Sequence, residues 1–365
     1  MRFRHRFMKD WYQPGCKQWG LDGEYRRRPD RKVYYGFAFG GEMGVLTVVL
    51  EEIYPEVDYI IILEANQTWR GEAKPLFFQK FKDSHFSQYL DKVRYIPYGF
   101  DDDEIGARID MCLTSDPVGL YGPGRLTCRW MRQWGARDYL AKKGAEDIGP
   151  NDVFIISDLD ELLAREFVRA VKHCNIYPED LPDKCSRMGV HTFGHRYHFG
   201  CTVAKNYGHY HPDMVLGRCL DKYGGEEVRR DFGEPKKYRP KPPGLLQAKY
   251  VGPGGWHMHS FLSTAQVAWK WFSRSGNAQT SWTTKDLELI KDRRKNCHDG
   301  PEFFSFDAFH CSPMPHLVRE NPKAWAHFAG YVHDEQLPDE FLAEKHFREV
   351  LLEKRDPNDK SLLQF

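Results

Sequence analysis

At 365 residues the chain is long enough for one enlarged α/β domain or two small ones, and one enlarged domain is the simpler reading. Its 53 Lys and Arg against 52 Asp and Glu leave no basic field to draw it onto nucleic acid or an anionic membrane, so a polyanion-binding role is disfavoured. No run approaches the roughly 18–20 apolar residues that cross a bilayer, and the opening MRFRHRFMKDWYQPGCKQWG lacks the apolar core of a signal peptide, so the chain as given reads as soluble.

Residues 1–32 are rich in Arg, Pro and Gly without an apolar period and read as an arm laid on or near the domain. Residues 33–39 form a buried-strand pattern that Gly40-Gly41 breaks. Leu46, Val49, Leu50 and Ile53 then share a helical face that Pro55 stops. The run 57–63 is a continuous β-branched strand suited to a sheet covered on both faces, and 93–96 is a third, shorter one. Leu126, Trp130 and Trp134 recur at helical spacing, a Gly149-Pro150-Asn151-Asp152 turn follows, and Val153-Phe154-Ile155-Ile156 is a fourth strand. Leu163, Phe167 and Val171 predict the next helix. This alternation predicts a doubly wound, mainly parallel α/β sheet with helices on both faces. Beyond Cys174 the pattern turns to strands and loops: a strand over 188–199, a surface loop over 221–244, an extended stretch at Trp256-His257-Met258-His259, and an amphipathic helix around Phe341, Leu342, Phe347, Val350 and Leu351.

Eight of the nine cysteines fall into sequence neighbours, Cys112 with Cys128, Cys174 with Cys185, Cys201 with Cys219 and Cys297 with Cys311, leaving Cys16 over. Spacing does not fix connectivity, so disulfides and buried free thiols both stay open; the absence of C-x-x-C argues against a zinc ribbon.

The most informative segment is Phe154-Ile155-Ile156-Ser157-Asp158-Leu159-Asp160-Glu161, a buried strand ending in three carboxylates. In an open α/β sheet the ligand crevice lies beyond the carboxyl ends of the strands. Clustered acids there repel unless a cation neutralises them, and Mn²⁺ or Mg²⁺ suits hard oxygen ligands and a diphosphate alike. Asp158 and Asp160 are therefore the candidate metal ligands; one of them can reach the metal while the other bonds ribose or the metal's water. The bland alternative is that these acids cap the helix that follows. In an extended Trp256–His259 stretch, His257 and His259 share one face. His257 is the candidate third ligand, with His259 behind it. His191, His195, His198, His209 and His211 read as structural.

Four segments resemble glycosyltransferase family 17, the bisecting N-acetylglucosaminyltransferases and their relatives: residues 59–68 with 71–76, residues 152–161, Gly254-Gly255-Trp256-His257, and the stretch around Glu42. The resemblance runs over about residues 33–330. It implies a GT-A-like fold with a C-terminal strand and loop extension. Its catalytic domain at 33–330 would comprise a nucleotide-sugar half (33–175) and an acceptor half (176–330), between the arm at 1–32 and a helical tail at 331–365. It also implies inverting transfer of N-acetylglucosamine from a UDP-sugar donor to a mannose of a glycan or glycoprotein acceptor, Asp158 and Asp160 as metal and donor acids, and a Golgi or secretory-pathway setting. The sequence departs from the family pattern at Gly41-Glu42-Met43-Gly44, where only Glu42 is kept, at Leu163 in place of a Pro, and at Met258-His259.

An inverting displacement needs one base to take the acceptor's proton, for which Glu42, Glu64 and Glu161 are the candidates. Glu42 and Trp256 are candidates for holding the donor, and Trp256 and Trp69 for stacking on sugar. Two rival readings are a D-x-D magnesium phosphohydrolase and a non-catalytic glycan-binding relative.

Overall fold

The structure, a computed structural model, describes residues 15–21, 24–25, 31–100, 126–175, 185–203, 209–229, 245–274, 283–297, 303–305 and 313–330. The helix expected around Phe341 lies outside these residues, as does most of the arm. The four expected strands form at Val33–Ala38 (β1), Tyr59–Ala65 (β2), Val93–Tyr98 (β3) and Val153–Asp158 (β4). Side chains alternate across a strand. Tyr35, Phe37, Ile60, Ile62, Val153 and Ile155 accordingly enter one core, and Tyr34, Ile61, Leu63, Phe154 and Ile156 the other.

Between these strands run Met43–Ile53 (α1), with Leu46, Val49, Leu50 and Ile53 buried, then Phe77–His85 (α2) and Leu126–Gly144 (α3). The third helix forms as expected, but its Trp stripe is not its packed face. Trp130 is 38% exposed, and Ala136, Leu140 and Ala141 meet the core instead.

The main sheet has seven strands in the order β10-β6-β9-β4-β1-β2-β3, where β6 is Cys185–Val190, β9 Asp213–Leu216 and β10 Leu245–Val251. β1 runs parallel to β2 and to β4, β2 to β3, and β6 to β10, while β9 is antiparallel to both its neighbours. The sheet is therefore mainly parallel, as the alternation predicted. The chain winds outward from β1 to β3 and returns to the other side of β1 as β4, so β1 and β4 flank a topological switch point, where such sheets open a crevice. Strands from both sides of residue 175 share this sheet.

A second sheet, ordered β12-β8-β7-β11-β5, joins Glu161–Leu163 (β5), Phe193–Arg196 (β7), His198–Val203 (β8), Gly255–His259 (β11) and Phe303–Ser305 (β12). Three expectations are corrected here. Leu163 lies in β5, because the backbone of 161–163 pairs antiparallel with β11, and the helix Arg165–His173 (α4) begins only after it. The single strand over 188–199 is broken into β6, β7 and part of β8, with Tyr197 at a positive φ of 66° marking one break. The loop over 221–244 begins as helix: Gly217–Arg229 (α5) extends to residue 229.

Among the described residues, three disulfides join Cys16 to Cys174, Cys185 to Cys219 and Cys201 to Cys297. None links sequence neighbours as grouped above, because the partners are brought together by sheet packing rather than by proximity along the chain. Cys112 and Cys311 lie outside the described residues. The Cys16 bridge, with buried Trp19 and Leu21, ties the end of the arm onto the domain. No helix among the described residues is long and apolar enough to cross a membrane.

Candidate functional site

The carboxyl ends of β1 and β4 deliver two acidic segments to the crevice, Glu42 after β1 and Asp158, Asp160 and Glu161 after β4. The chain turns sharply between the two sheets at this point. Asp158 closes β4, Glu161 opens β5, and the Asp160 carbonyl accepts a hydrogen bond from Met258 N at 2.6 Å. The β5–β11 register sets His257 directly opposite Glu161. That register requires Gly255, where a Cβ would stand 2.1 Å from the Leu162 carbonyl oxygen.

The acids are met by cations from three helices. Arg137 on α3 donates to both oxygens of Asp158 at 3.0 Å and to Glu226 at 3.0 Å. Arg229 on α5 donates to Asp158 at 3.0 Å and also to Glu161. These two helices come close enough only because α5 carries Gly224 and Gly225: Gly224 kinks it with a φ of 68°, and a Cβ at Gly225 would stand 2.2 Å from the Arg137 carbonyl oxygen. Burial pushes the Asp158 carboxyl up, but Arg137 and Arg229 outweigh that and hold it below the usual range. Glu161 goes further down for the same reason, against burial, with Arg229 and His209 as the opposing partners.

The third cation is Lys270, on Thr264–Ser273 (α6). A capping box starts that helix: the Ser263 hydroxyl accepts from Gln266 N, and the Gln266 side chain accepts from Ser263 N. Arg70 donates to the Phe272 carbonyl at 2.8 Å and pins the last turn. Lys270 Nζ then lies 2.7 Å from Asp160 Oδ2 and 3.6 Å from Glu42 Oε1. Against the upward push of burial, the Lys270 ammonium is the chief group holding the Asp160 carboxyl low.

The expected metal set of Asp158, Asp160 and His257 does not converge as a set. Asp158 is committed to two guanidinium groups. Among the described residues, the group of three acid and histidine ligands whose atoms all lie within 4.8 Å of one another is instead Glu52, Glu166 and His316. That group pins helices: Glu52 accepts from Arg165 N at the start of α4 (3.0 Å) and from His316 N at the start of the short helix His316–Glu320 (2.7 Å), while His316 bonds Glu166 at 2.8 Å. Asp160 does fit a cation, since an ammonium already occupies the position between it and Glu42.

His257 is half-buried and kept neutral, its pKa lowered to about 4 by burial and then by His209. Its ring stacks on His209 at 3.9 Å, and His209 bonds Glu161 at 2.7 Å. His209 had been read as structural; no spacing in the sequence ties it to Glu161.

Glu64, a candidate base, is fully buried at the start of α2, where it accepts from Phe78 N at 3.0 Å, from Gln79 N at 3.4 Å and from the Tyr95 hydroxyl at 3.0 Å. Glu161 is buried as well. Glu42 alone of the three base candidates keeps a partly exposed side chain, at 19%. Trp256 is also fully buried and donates to the Pro313 carbonyl at 2.8 Å, so it packs the core and offers no face to a sugar. Trp69 packs edge-on against Phe100.

Residues 10–106 match the family described as Glycosyltransferase family 17. Over 150 residues the chain is 28% identical to the β-1,4-mannosyl-glycoprotein 4-β-N-acetylglucosaminyltransferases of Rattus norvegicus and Homo sapiens, and 27% identical to that of Mus musculus. The match takes in 40% of this chain and 24% of each relative, so the chain spans about a quarter of the length of the curated relatives it matches. Among solved structures it is similar to mouse xyloside xylosyltransferase 1 in its apo form, with 8% identity, a TM-score of 0.31 and coverage of 60% of this chain and 84% of that one. It is also similar to a mycobacterial protein, with 15% identity, a TM-score of 0.27 and coverage of 70% and 79%. At these TM-scores neither bears on the fold, which rests on the strand order itself. Over residues 10–106, then, the chain is similar to glycosyltransferase family 17.

Proposed function

We propose that the chain moves N-acetylglucosamine from UDP-N-acetylglucosamine to a mannose of an N-glycan or related glycan, with inversion, at the crevice between β1 and β4. The observation that carries this reading is the Glu42–Lys270–Asp160 cluster at the switch point, beside the N-terminus of α1. A helix N-terminus presents unpaired N–H groups and a partial positive charge to a phosphate. Asp160 would hold a Mn²⁺ or Mg²⁺ ion together with the donor's phosphates, since such ions are commonly bound by one or two carboxylates plus substrate phosphates. The ion, when bound, supplies charge neutralisation for the departing diphosphate.

This chain's own groups do the rest. Asp158, one-third exposed and fixed in direction by Arg137 and Arg229, faces the nucleoside side and accepts from a ribose hydroxyl. Glu42 takes the acceptor hydroxyl's proton as that oxygen bonds the anomeric carbon and the sugar–phosphate bond breaks. Three disulfides suit an oxidising compartment, which supports the secretory-pathway setting. A phosphohydrolase reading is weaker, because the Asp158 oxygens that would attack phosphorus are held by two guanidinium groups.

The test is a panel of UDP- and GDP-sugars offered with and without Mn²⁺ and a mannose-terminated glycan, scored by nucleotide release and product mass. The expected result is a mass gain of one N-acetylhexosamine with the UDP-N-acetylglucosamine donor. Nucleotide release from none of the donors would remove the reading.

A further inference from the structure

Lys270 differs from the other two site cations. Arg137 grips Glu226 and Asp158 through both arms of its guanidinium, Arg229 bridges Asp158 and Glu161 through Nη2, and the two are 12% and 5% exposed, whereas Lys270 is 28% exposed and presents a single ammonium on a flexible stem. It touches Asp160 at 2.7 Å and reaches toward Glu42 at 3.6 Å, the two acids to which the proposed function gives the ion and the acceptor's proton.

We propose that Lys270 is a placeholder cation. In the donor-free protein it neutralises Asp160 and Glu42, and it passes to the donor's phosphates when the diphosphate enters, so that a divalent ion and the nucleotide bind as a coupled pair. The inference rests on the proposed function and deepens it. Its physical basis is local charge. Two carboxylates and one ammonium leave the cluster with a single negative charge. A divalent ion entering alone would reverse that sign and would meet an ammonium already in contact with the same carboxylate oxygen, a repulsion twice that between two single charges at equal separation. An ion entering with a doubly charged diphosphate restores the original charge and gives the ammonium a new partner. The same exchange releases Glu42 from Lys270 as the donor arrives, so the base becomes available only in the loaded site. Linkage is reciprocal: the factor by which UDP tightens the ion is the factor by which the ion tightens UDP.

The experiment measures Mn²⁺ binding from the paramagnetic resonance signal of the free ion, with and without UDP, for the wild type, Lys270→Gln and Lys270→Arg. It reads affinity and requires no turnover. The wild type should bind Mn²⁺ weakly alone and at least about ten-fold more tightly with UDP, a coupling near 1.4 kcal/mol. Lys270→Gln should bind UDP-free Mn²⁺ at least about ten-fold more tightly than the wild type and lose most of the coupling, while Lys270→Arg keeps it. Mn²⁺ binding to Lys270→Gln no tighter than to the wild type overturns the proposal. So does a wild type in which UDP leaves the Mn²⁺ affinity unchanged, a result that needs no variant to fold. UDP binding and Mn²⁺ binding that are both present but independent remove the placeholder alone. A wild type that binds no UDP by calorimetry, with or without Mn²⁺, removes the functional reading and the placeholder with it.

Discussion

Substituting Glu64 with Ala separates a structural carboxylate from a chemical one. Its oxygens accept from the first turn of α2, which lacks any other side-chain cap, and losing such a cap costs about 1 kcal/mol. The larger effect falls on Lys74, whose ammonium is 3.8 Å from Glu64 with only 5% of its side chain exposed. Burial already lowers the Lys74 pKa, and Glu64 is the chief group opposing that shift. Without Glu64 the lysine loses its nearest counter-charge and keeps the Pro75 carbonyl at 3.3 Å, a change that costs about 3–5 kcal/mol when a buried partner is removed. An upper limit of about 5 kcal/mol follows from giving up the proton at pH 7, starting from an ordinary lysine pKa. At roughly 2–4 °C per kcal/mol, the expected fall in Tm is about 10 °C. The assay pairs a circular-dichroism melt with UDP release measured well below the variant's Tm. Folded variant should retain most turnover. A Tm within about 2 °C of the wild type together with abolished turnover would show that Glu64 is the base after all and that its buried placement has been misread.

The His316–Glu166 contact gives a pH dependence with a definite sign. Its hydrogen bond to Glu166 raises His316, so that stabilisation is full below about pH 6.5 and is lost as pH rises through the raised value. Burial pushes Glu166 up, but the bond from His316 prevails and lowers it, so its share is full above about pH 4.5 and is lost as pH falls through the lowered value. The urea-unfolding difference between the wild type and His316→Gln should therefore peak, at about 1–2 kcal/mol, between these limits. A difference that stays flat from pH 5 to pH 9, in steps of about one unit, would contradict it. Gly225→Ala places a methyl against the Arg137 carbonyl, a backbone atom that cannot rotate away, and should cost about 3 kcal/mol and weaken UDP binding; an unchanged melt and an unchanged UDP affinity by calorimetry would show that the two helices have room to part. Replacing Cys16 and Cys174 together with Ser opens a loop spanning 158 residues and should cost about 2–4 kcal/mol in chemical denaturation, with peptide mapping of the wild type recovering the Cys16–Cys174 link. Chelation by EDTA should leave the donor-free Tm within about 1 °C, since Asp158, Glu161 and Asp160 are neutralised by side chains, whereas Mn²⁺ with UDP should raise it. A drop of several degrees in EDTA would reveal a structural ion.

The parallel part of the sheet was legible because strands buried on both faces need uninterrupted apolar runs, and 59–63 and 153–156 are such runs. The second sheet was not. Glu161-Leu162-Leu163 looks like the first turn of the helix that follows, and only pairing with 255–257, far away in sequence, makes it a strand. The acids of the site were visible for the same reason their cations were not. Three carboxylates at a strand end are a local anomaly, while Arg137, Arg229 and Lys270 come from helices whose charged residues look like any solvated face. The unmet requirement for a counter-charge was readable, but its identity was not, and a metal was only one of the ways to meet it. Trp256 shows the converse limit. An aromatic next to a candidate ligand suggests sugar stacking, yet alternation along β11 sends it into the core precisely when His257 faces the crevice.

The acidic motif is also the joint between the two sheets, and this constrains how substitutions there can be interpreted. Asp158 terminates a strand of one sheet and Glu161 begins a strand of the other, with the Asp160 backbone tied to β11 between them. Arg229 spans the joint by bonding Asp158 on one side and Glu161 on the other. Removing Asp158 or Glu161 therefore takes away one of the two carboxylates that Arg229 bridges and loosens one sheet from the other, whichever chemistry the site performs. Asp160 is different. Its structural link is through the main chain, which any residue retains, and among the described residues its carboxylate accepts a hydrogen bond from the Lys270 ammonium at 2.7 Å. Loss of function on removing the Asp160 carboxylate, with the melt unchanged, can thus be assigned to the crevice, whereas the same loss at Asp158 or Glu161 cannot be assigned without a stability measurement beside it.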